Sequence, residues 1–348
     1  MRRWLVLLAL ALGFAQAQTT LTVLTYDGWP IQKSLLKAFE ASTHIQVHFI
    51  QAGDAGAELN RAILTKNSPI ADVIIGFDNA LLPRALKAGI LERYIPPEAS
   101  QLRAGVLLDP TFHAIPLDWG YVALTYDRAY FKDHPLPTSL AELATPEYAK
   151  LLVTENPATS TPGLDFMLAT IKAFGPKQFL DFWYHLRQNG LKVDDGWTQA
   201  YYTDFSAHGG KRPIVVSYTT DPAAEIYYSE AHPKPTQPPV GNLLFPDGTF
   251  REVEFMGILK GTHHRKAAEQ FISFLLSKPF QLSNMTENWM YPAIQGITYP
   301  PVYRYAELPT HPAELSEAEI AKNLRLWIRE WTEVVLQGET PSQVLQGQ

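Results

Sequence analysis

Short runs of β-branched and apolar residues recur along the chain, and each gives way at once to a polar or aromatic cluster. Leu21 to Thr25 leads into Tyr26-Asp27-Gly28-Trp29, Val47 to Ile50 into Gly53-Asp54-Ala55-Gly56, and Val73 to Gly76 into Phe77-Asp78-Asn79. Leu151 to Thr154 leads into Asn156 to Gly163, and Ile214 to Ser217 into Tyr218-Thr219-Thr220-Asp221. Between the early runs the apolar positions take helical spacing. Ile31, Leu35, Leu36 and Phe39 share one face, and Leu81, Leu82, Ala85 and Leu86 another that closes at Gly89. This alternation predicts βαβ units and an α/β fold. In open α/β sheets ligands bind beyond the carboxyl ends of the strands, so the five clusters predict one concave site for a small organic molecule. Exposed connections are polar in any case; the concentration of Tyr, Trp, Asp, Ser and Thr at all five strand ends is what favours a site.

Further along, Asp118-Trp119-Gly120-Tyr121 opens the run Val122 to Tyr126, and helices are predicted over Pro162 to Phe174 and Lys177 to Arg187. The segment Pro233 to Pro239 carries four prolines and must be an irregular loop. Glu252 to Leu259 reads as a strand, and Arg265 to Leu276 as a helix with Ala268, Phe271, Ile272 and Leu275 on its apolar face. The last long element, Glu317 to Leu336, has Ser316 and Glu319 as a capping box and lines up Ile320, Leu324, Trp327, Trp331 and Val334. Trp327 and Trp331, one turn apart, are read as core anchors.

At 348 residues, 46% hydrophobic and 18% charged, the chain has an ordinary globular composition and length enough for two domains. Residues 1–17 read differently: Arg2 and Arg3, an apolar run from Trp4 to Phe14, then Ala15-Gln16-Ala17. A basic start, a short apolar core and a small-x-small end make a cleavable secretory signal peptide, too short to stay as a membrane span. There is no cysteine, so an exported product relies on its packed core and offers no thiol for a lipid anchor. Removing Arg2 and Arg3 with the leader leaves 27 basic against 35 acidic residues, a formal charge of −8. That balance disfavours nucleic acid and suits a cationic ligand.

These segments resemble the bacterial periplasmic thiamine-binding proteins of ABC importers over almost all of the mature chain. The matching stretches are Leu24 to Asp27, Ala71 to Ile74 with Gly76 to Asn79, Asp118 to Tyr121, Ser160 to Leu164, Gly196 to Tyr201, Ser217 to Thr220 and Asn288 to Pro292. The resemblance implies a two-lobed periplasmic-binding-protein fold (type II) with the ligand in the inter-lobe cleft. Lobe one would be 18–117 plus 255–348, and lobe two 118–254. The cargo would be thiamine, thiamine monophosphate or thiamine diphosphate, handed by a monomer to a separate permease and ATPase, with no cofactor. The implied contacts are Tyr26, Asp54 with Ala55, Ser160 with Thr161, Trp197, the run Tyr218-Thr219-Thr220-Asp221, and Trp289. The family often has Gly at Ala55, Ser at Asp221 and a tyrosine at Ala224; Tyr227 or Tyr228, one helical turn on, could replace that ring.

These residue types fit such a ligand. Tyr26, Trp197, Tyr218 and Trp289 can stack on flat heteroaromatics and face a thiazolium cation, or can be core residues. Asp54 and Asp27 are candidate counter-charges, with a turn-forming role beside Gly28 equally open for Asp27. Ser160-Thr161-Pro162-Gly163 reads as a helix start, a place for capping or for a phosphate. A rival in the binding class is a ferric-ion binder using the pairs Tyr201-Tyr202 and Tyr227-Tyr228. An enzyme is disfavoured: no Gly-x-Ser-x-Gly, no cysteine nucleophile, and His263-His264 without metal-helix spacing. Asp194-Asp195 is read as a solvated turn before Gly196.

Overall fold

The computed structural model describes residues 19–347, so the leader segment lies outside the described residues. Eleven strands are described: β1 Thr19–Thr25, β2 Ile45–Gln51, β3 Val73–Asp78, β4 Leu91–Glu92, β5 Ile115–Asp127, β6 Leu152–Glu155, β7 Lys192–Asp194, β8 Ile214–Tyr218, β9 Val240–Leu243, β10 Phe250–Leu259 and β11 Tyr291–Pro292. They join in the order β2-β1-β3-β10-β5-β8-β6-β7, with β9 and β11 on β5 and β4 on β10. Two parallel groups, β2-β1-β3 and β8-β6-β7, are held together by antiparallel pairing through β10 and β5. Parallel neighbours need crossovers. Helices Lys33–Thr43 and Ala55–Leu64 supply them in the first group, and Thr161–Phe174 with Phe179–Gln188 in the second.

β5 and β10 run through the middle of this arrangement. Residues 115–122 of β5 pair with β10 and residues 122–126 with β8, so β5 links β10 to the second group. β10 joins β5 to β3, and its register shifts at Glu254/Phe255 against β5 and at Phe255/Met256 against β3. The extra residues, Leu117 of β5 and Gly76 of β3, bend those strands locally. β3 is buried at every position, as expected of a parallel strand covered on both faces.

Most predicted elements occupy their expected places, with informative differences. Gly89 closes helix Leu82–Ala88 at φ 65°, but Leu86 faces solvent while Leu81, Leu82 and Ala85 are buried. Ser316 accepts from the Glu319 amide at 3.2 Å without a full box; the reciprocal box forms at Thr340 and Gln343. Trp327 and Trp331 are core residues, Trp331 meeting Trp183 edge-on at 5.4 Å. The C-terminal helix, grouped with lobe one in the sequence reading, therefore packs on helix Phe179–Gln188 of the other side. Asp194 ends β7, buried and paired with Lys192 at 2.8 Å, rather than forming a solvated turn; Asp195 is the exposed one.

Helix Thr161–Phe174 is the centre of the second group, with every residue from Thr161 to Ile171 buried. Gly163 lets its first turn lie on the end of β6, where a Cβ would overlap the Glu155 carbonyl. Gly163→Ala is thus expected to push the helix off the strand and cost about 1–3 kcal/mol. Urea denaturation measures it, and an unchanged midpoint would show that the contact relaxes freely.

Candidate functional site

The strand-end clusters meet where the two parallel groups face each other. Asp54 precedes helix Ala55–Leu64 and caps it, Oδ1 accepting from the Ala55 amide at 2.9 Å. Its second oxygen accepts from the Trp197 amide of the opposite group at 3.1 Å. Beside it, the Gly56 amide donates to the Thr159 carbonyl at 2.9 Å. That approach needs glycine, since a Cβ at position 56 would lie 2.8 Å from the same oxygen. Asp54 with Ala55, Ser160 with Thr161, and Trp197 are therefore brought together.

Trp197 is half-buried, its ring stacked on Tyr201 at 4.9 Å and 6.2 Å from Tyr218, and its Nε1 donates to Ser217 Oγ at 2.8 Å. The hydrogen bond and the stack hold the indole in one orientation. Tyr26, at the end of β1, lies over Gly76 of β3, where any side chain would overlap its ring. Its hydroxyl donates to Asn288 Oδ1 at 3.2 Å, which ties β1 to the segment carrying Trp289. Trp289 stacks on Tyr303 and receives Tyr227 and Tyr228 edge-on. Both rings that could replace one at Ala224 thus reach this tryptophan. Thr219 and Thr220 are buried with hydroxyls that meet no protein partner. The Asp221 carboxyl is turned away to Thr125 and the Tyr218 amide, where it anchors helix Asp221–Tyr228. Asp27 takes the turn-forming role, accepting from the Gly53 amide at 3.1 Å.

Beneath these rings lies a floor of carboxyl groups that sequence reasoning missed. Glu252 and Glu254, two residues apart on β10, share a face, and both are buried with Asp118 of β5. Asn288 donates to Asp118 at 3.3 Å and to Glu254 at 3.2 Å, and Asn284 donates to Asp118 at 2.7 Å. Burial pushes the Asp118 carboxyl up to about 6, and Glu252 and Glu254 well above the usual range, with repulsion from Asp78 and Asp118 adding to it. Burial also raises Asp54, against the Ser160 hydroxyl and the amides of Trp197 and Ala55. Among the described residues the ion pairs lie elsewhere, and no Lys, Arg or His pairs with Asp54, Asp118, Glu252 or Glu254. Glu252 and Glu254 alternate with buried Val253 and Phe255, so acidic residues inside an apolar strand were the available signal.

Among the described residues one group could ligate a metal: carboxylate oxygens of Asp78, Asp165 and Glu252 lie within 4.8 Å of one another. Burial and repulsion from Asp78 and Glu252 hold the Asp165 carboxyl well above its ordinary range. The tyrosine pairs are otherwise engaged. Tyr201 donates to Glu225 at 2.9 Å, and burial pushes its hydroxyl well up, against a phenolate. A concavity of about 760 Å³ lies at the opposite strand ends, near Thr22, Lys260 and His263; there Asp72 binds the Thr22 amide, Thr262 and His264.

Residues 68–323 match the family of bacterial extracellular solute-binding proteins. The chain is 31% identical over 340 residues to the thiamine-binding periplasmic protein of Escherichia coli (strain K12), covering 96% of this chain and 99% of that one. It is 30% identical to the protein so named in Brucella suis biovar 1 (strain 1330), over 91% and 92% of the two chains. Among solved structures, a periplasmic thiamin binding protein superposes with a TM-score of 0.82 at 30% identity, covering 92% of this chain and 98% of that one. Iron-bound HitA from Pseudomonas aeruginosa gives 0.71 at 22% identity over 90% and 99%, a likeness of fold alone. The architecture is thus the expected type II periplasmic-binding-protein fold. The chain belongs to the bacterial extracellular solute-binding protein family.

Proposed function

We propose that this protein captures thiamine and its phosphate esters outside the cytoplasm and delivers them to the permease and ATPase of an ABC importer. The observation that carries this reading is the convergence of Tyr26, Trp197, Tyr218 and Trp289 on buried Asp118, Glu252 and Glu254, which among the described residues pair with no Lys, Arg or His. Several buried carboxyls cannot all ionise without a partner. A flat cation supplies one and stacks on the rings at the same time. The names of the similar periplasmic proteins support the same cargo. On this reading the leader of residues 1–17 directs export and is removed, and the mature protein works as an unanchored monomer in the periplasm. It binds and releases its ligand unchanged, without catalysis.

Bound ligand stabilises by mass action, about 2.7 kcal/mol at a hundred times Kd. Thiamine should raise the melting temperature and ferric citrate should not; no response to any thiamine species sinks the assignment. Trp197→Ala should weaken thiamine binding by about 1–3 kcal/mol while leaving the ligand-free melting temperature almost unchanged. A lower melting temperature with intact affinity would make Trp197 a core residue only.

The start of helix Thr161–Phe174, with Ser160 before it, is the proposed seat of the phosphate arm. Replacing Ser160 and Thr161 together by Ala removes two hydroxyls and leaves the amides, so thiamine diphosphate should lose far more affinity than thiamine. Calorimetry on both ligands decides it, since equal losses would put the hydroxyls on the ring or in the scaffold.

The floor also sets a pH dependence. Asp118 and Asp78 are raised to about 6 and Asp221 to about 7, from roughly 3.9 in the unfolded chain. Between those values the folded state holds more protons than the unfolded one, so ligand-free stability falls as pH rises from about 4 to 7. The same deprotonation favours a cation, so the melting shift from thiamine should be larger near pH 8 than near pH 5.5. A larger shift at the acid end would remove the floor as the counter-charge.

A further inference from the structure

Helix Asp221–Tyr228 ends in two adjacent tyrosines that stay exposed, Tyr227 at 43% and Tyr228 at 58%. Exposed rings usually have nothing to hold, yet these two are tied to the far wall of the cleft. The Tyr228 hydroxyl donates to the Thr286 carbonyl at 2.9 Å, near the end of helix Lys278–Glu287. Its ring meets Trp289 at 5.7 Å and 71°, and the Tyr227 ring meets the same indole at 5.4 Å and 68°. Edge-to-face contacts at these distances are attractive without requiring burial.

The receiving side is fixed. Trp289 has a φ of 59°, a left-handed conformation that a bulky residue adopts only when its surroundings hold it there. Tyr303 does so, stacking on the indole at 6.0 Å and donating to the carbonyls of Met285 and Met290 on either side of it. The preceding residue, Asn288, binds Tyr26, Asp118 and Glu254 in the floor. One short segment therefore carries both a floor contact and a contact at the mouth.

We infer that Tyr228 is the latch of the cleft: its hydroxyl bond to Thr286 and its ring on Trp289 hold the two walls together, and their rupture sets the rate of ligand release. This rests on the reading of the cleft as a thiamine site. A contact made only in the closed form slows opening and leaves encounter almost untouched. Tyr228 is thus a positioning residue, acting through the wall it engages.

Stopped-flow measurement of thiamine release from the full mature chain tests this. Tyr228→Phe, which loses only the hydroxyl bond, should release about threefold faster than the natural protein, and Tyr228→Ala about tenfold faster, with association rates unchanged. The second measurement needs no ligand. Because the chain has no cysteine, Lys37→Cys and Lys211→Cys place two spin labels on exposed sites of the two halves. Their distance distribution should shift to longer values in the Tyr228→Ala background. Unchanged release in Tyr228→Ala, or an unchanged distribution, overturns the latch. If the natural protein fails to bind thiamine at all, the cargo reading falls and the label distances alone decide the latch.

Discussion

The constraint on which this structure turns is the burial of acid without base. Asp118 of β5 and Glu252 and Glu254 of β10 are buried and Asp54 is half-buried, and among the described residues none of them pairs with a cationic side chain. Removing a carboxylate from water costs several kcal/mol unless it is neutralised or paired. The fold meets that cost with protons, amide donors and the side chains of Asn284 and Asn288. None of these is a full counter-charge, so the buried carboxyls are left without one by the protein itself.

The crossing strands β5 and β10 make this possible. Each is hydrogen-bonded on two sides, β10 to β3 and β5, and β5 to β10 and β8, so its backbone is satisfied where the side chains are least comfortable. The shift of β10 against β5 at Glu254/Phe255 falls within the floor itself.

Most of the fold was legible because it follows apolar periodicity. β1, β2, β3, β6 and β8 lie within a residue or two of the runs that announced them, and helix Thr161–Phe174 starts at the expected proline. Helix Lys278–Glu287 was invisible for a physical reason. Its buried face includes Gln281, which binds the Leu117 and Leu275 carbonyls and the Ala293 amide, and Asn284, which binds Asp118. A helix that packs through hydrogen bonds leaves no hydrophobic stripe to read. The site divides in the same way. Its rings and hydroxyls announced themselves at strand ends, whereas Glu252 and Glu254 sit mid-strand, where acidic residues pass for a solvated face. Asp221 stood in the right run, but a side chain's direction is set by its neighbours, here Thr125 and the Tyr218 amide.

The contact between Gly56 and Thr159 is made of one amide and one carbonyl. A seam stitched through the main chain is indifferent to the side chains beside it, as long as position 56 stays small. The charge of the floor and this seam are therefore written in separate places, the first in replaceable side chains on β10 and the second in the backbone. A descendant or a redesigned variant could exchange Glu252 and Glu254 for groups suited to another solute and keep the seam intact. That separation gives one architecture a plain route to many cargoes.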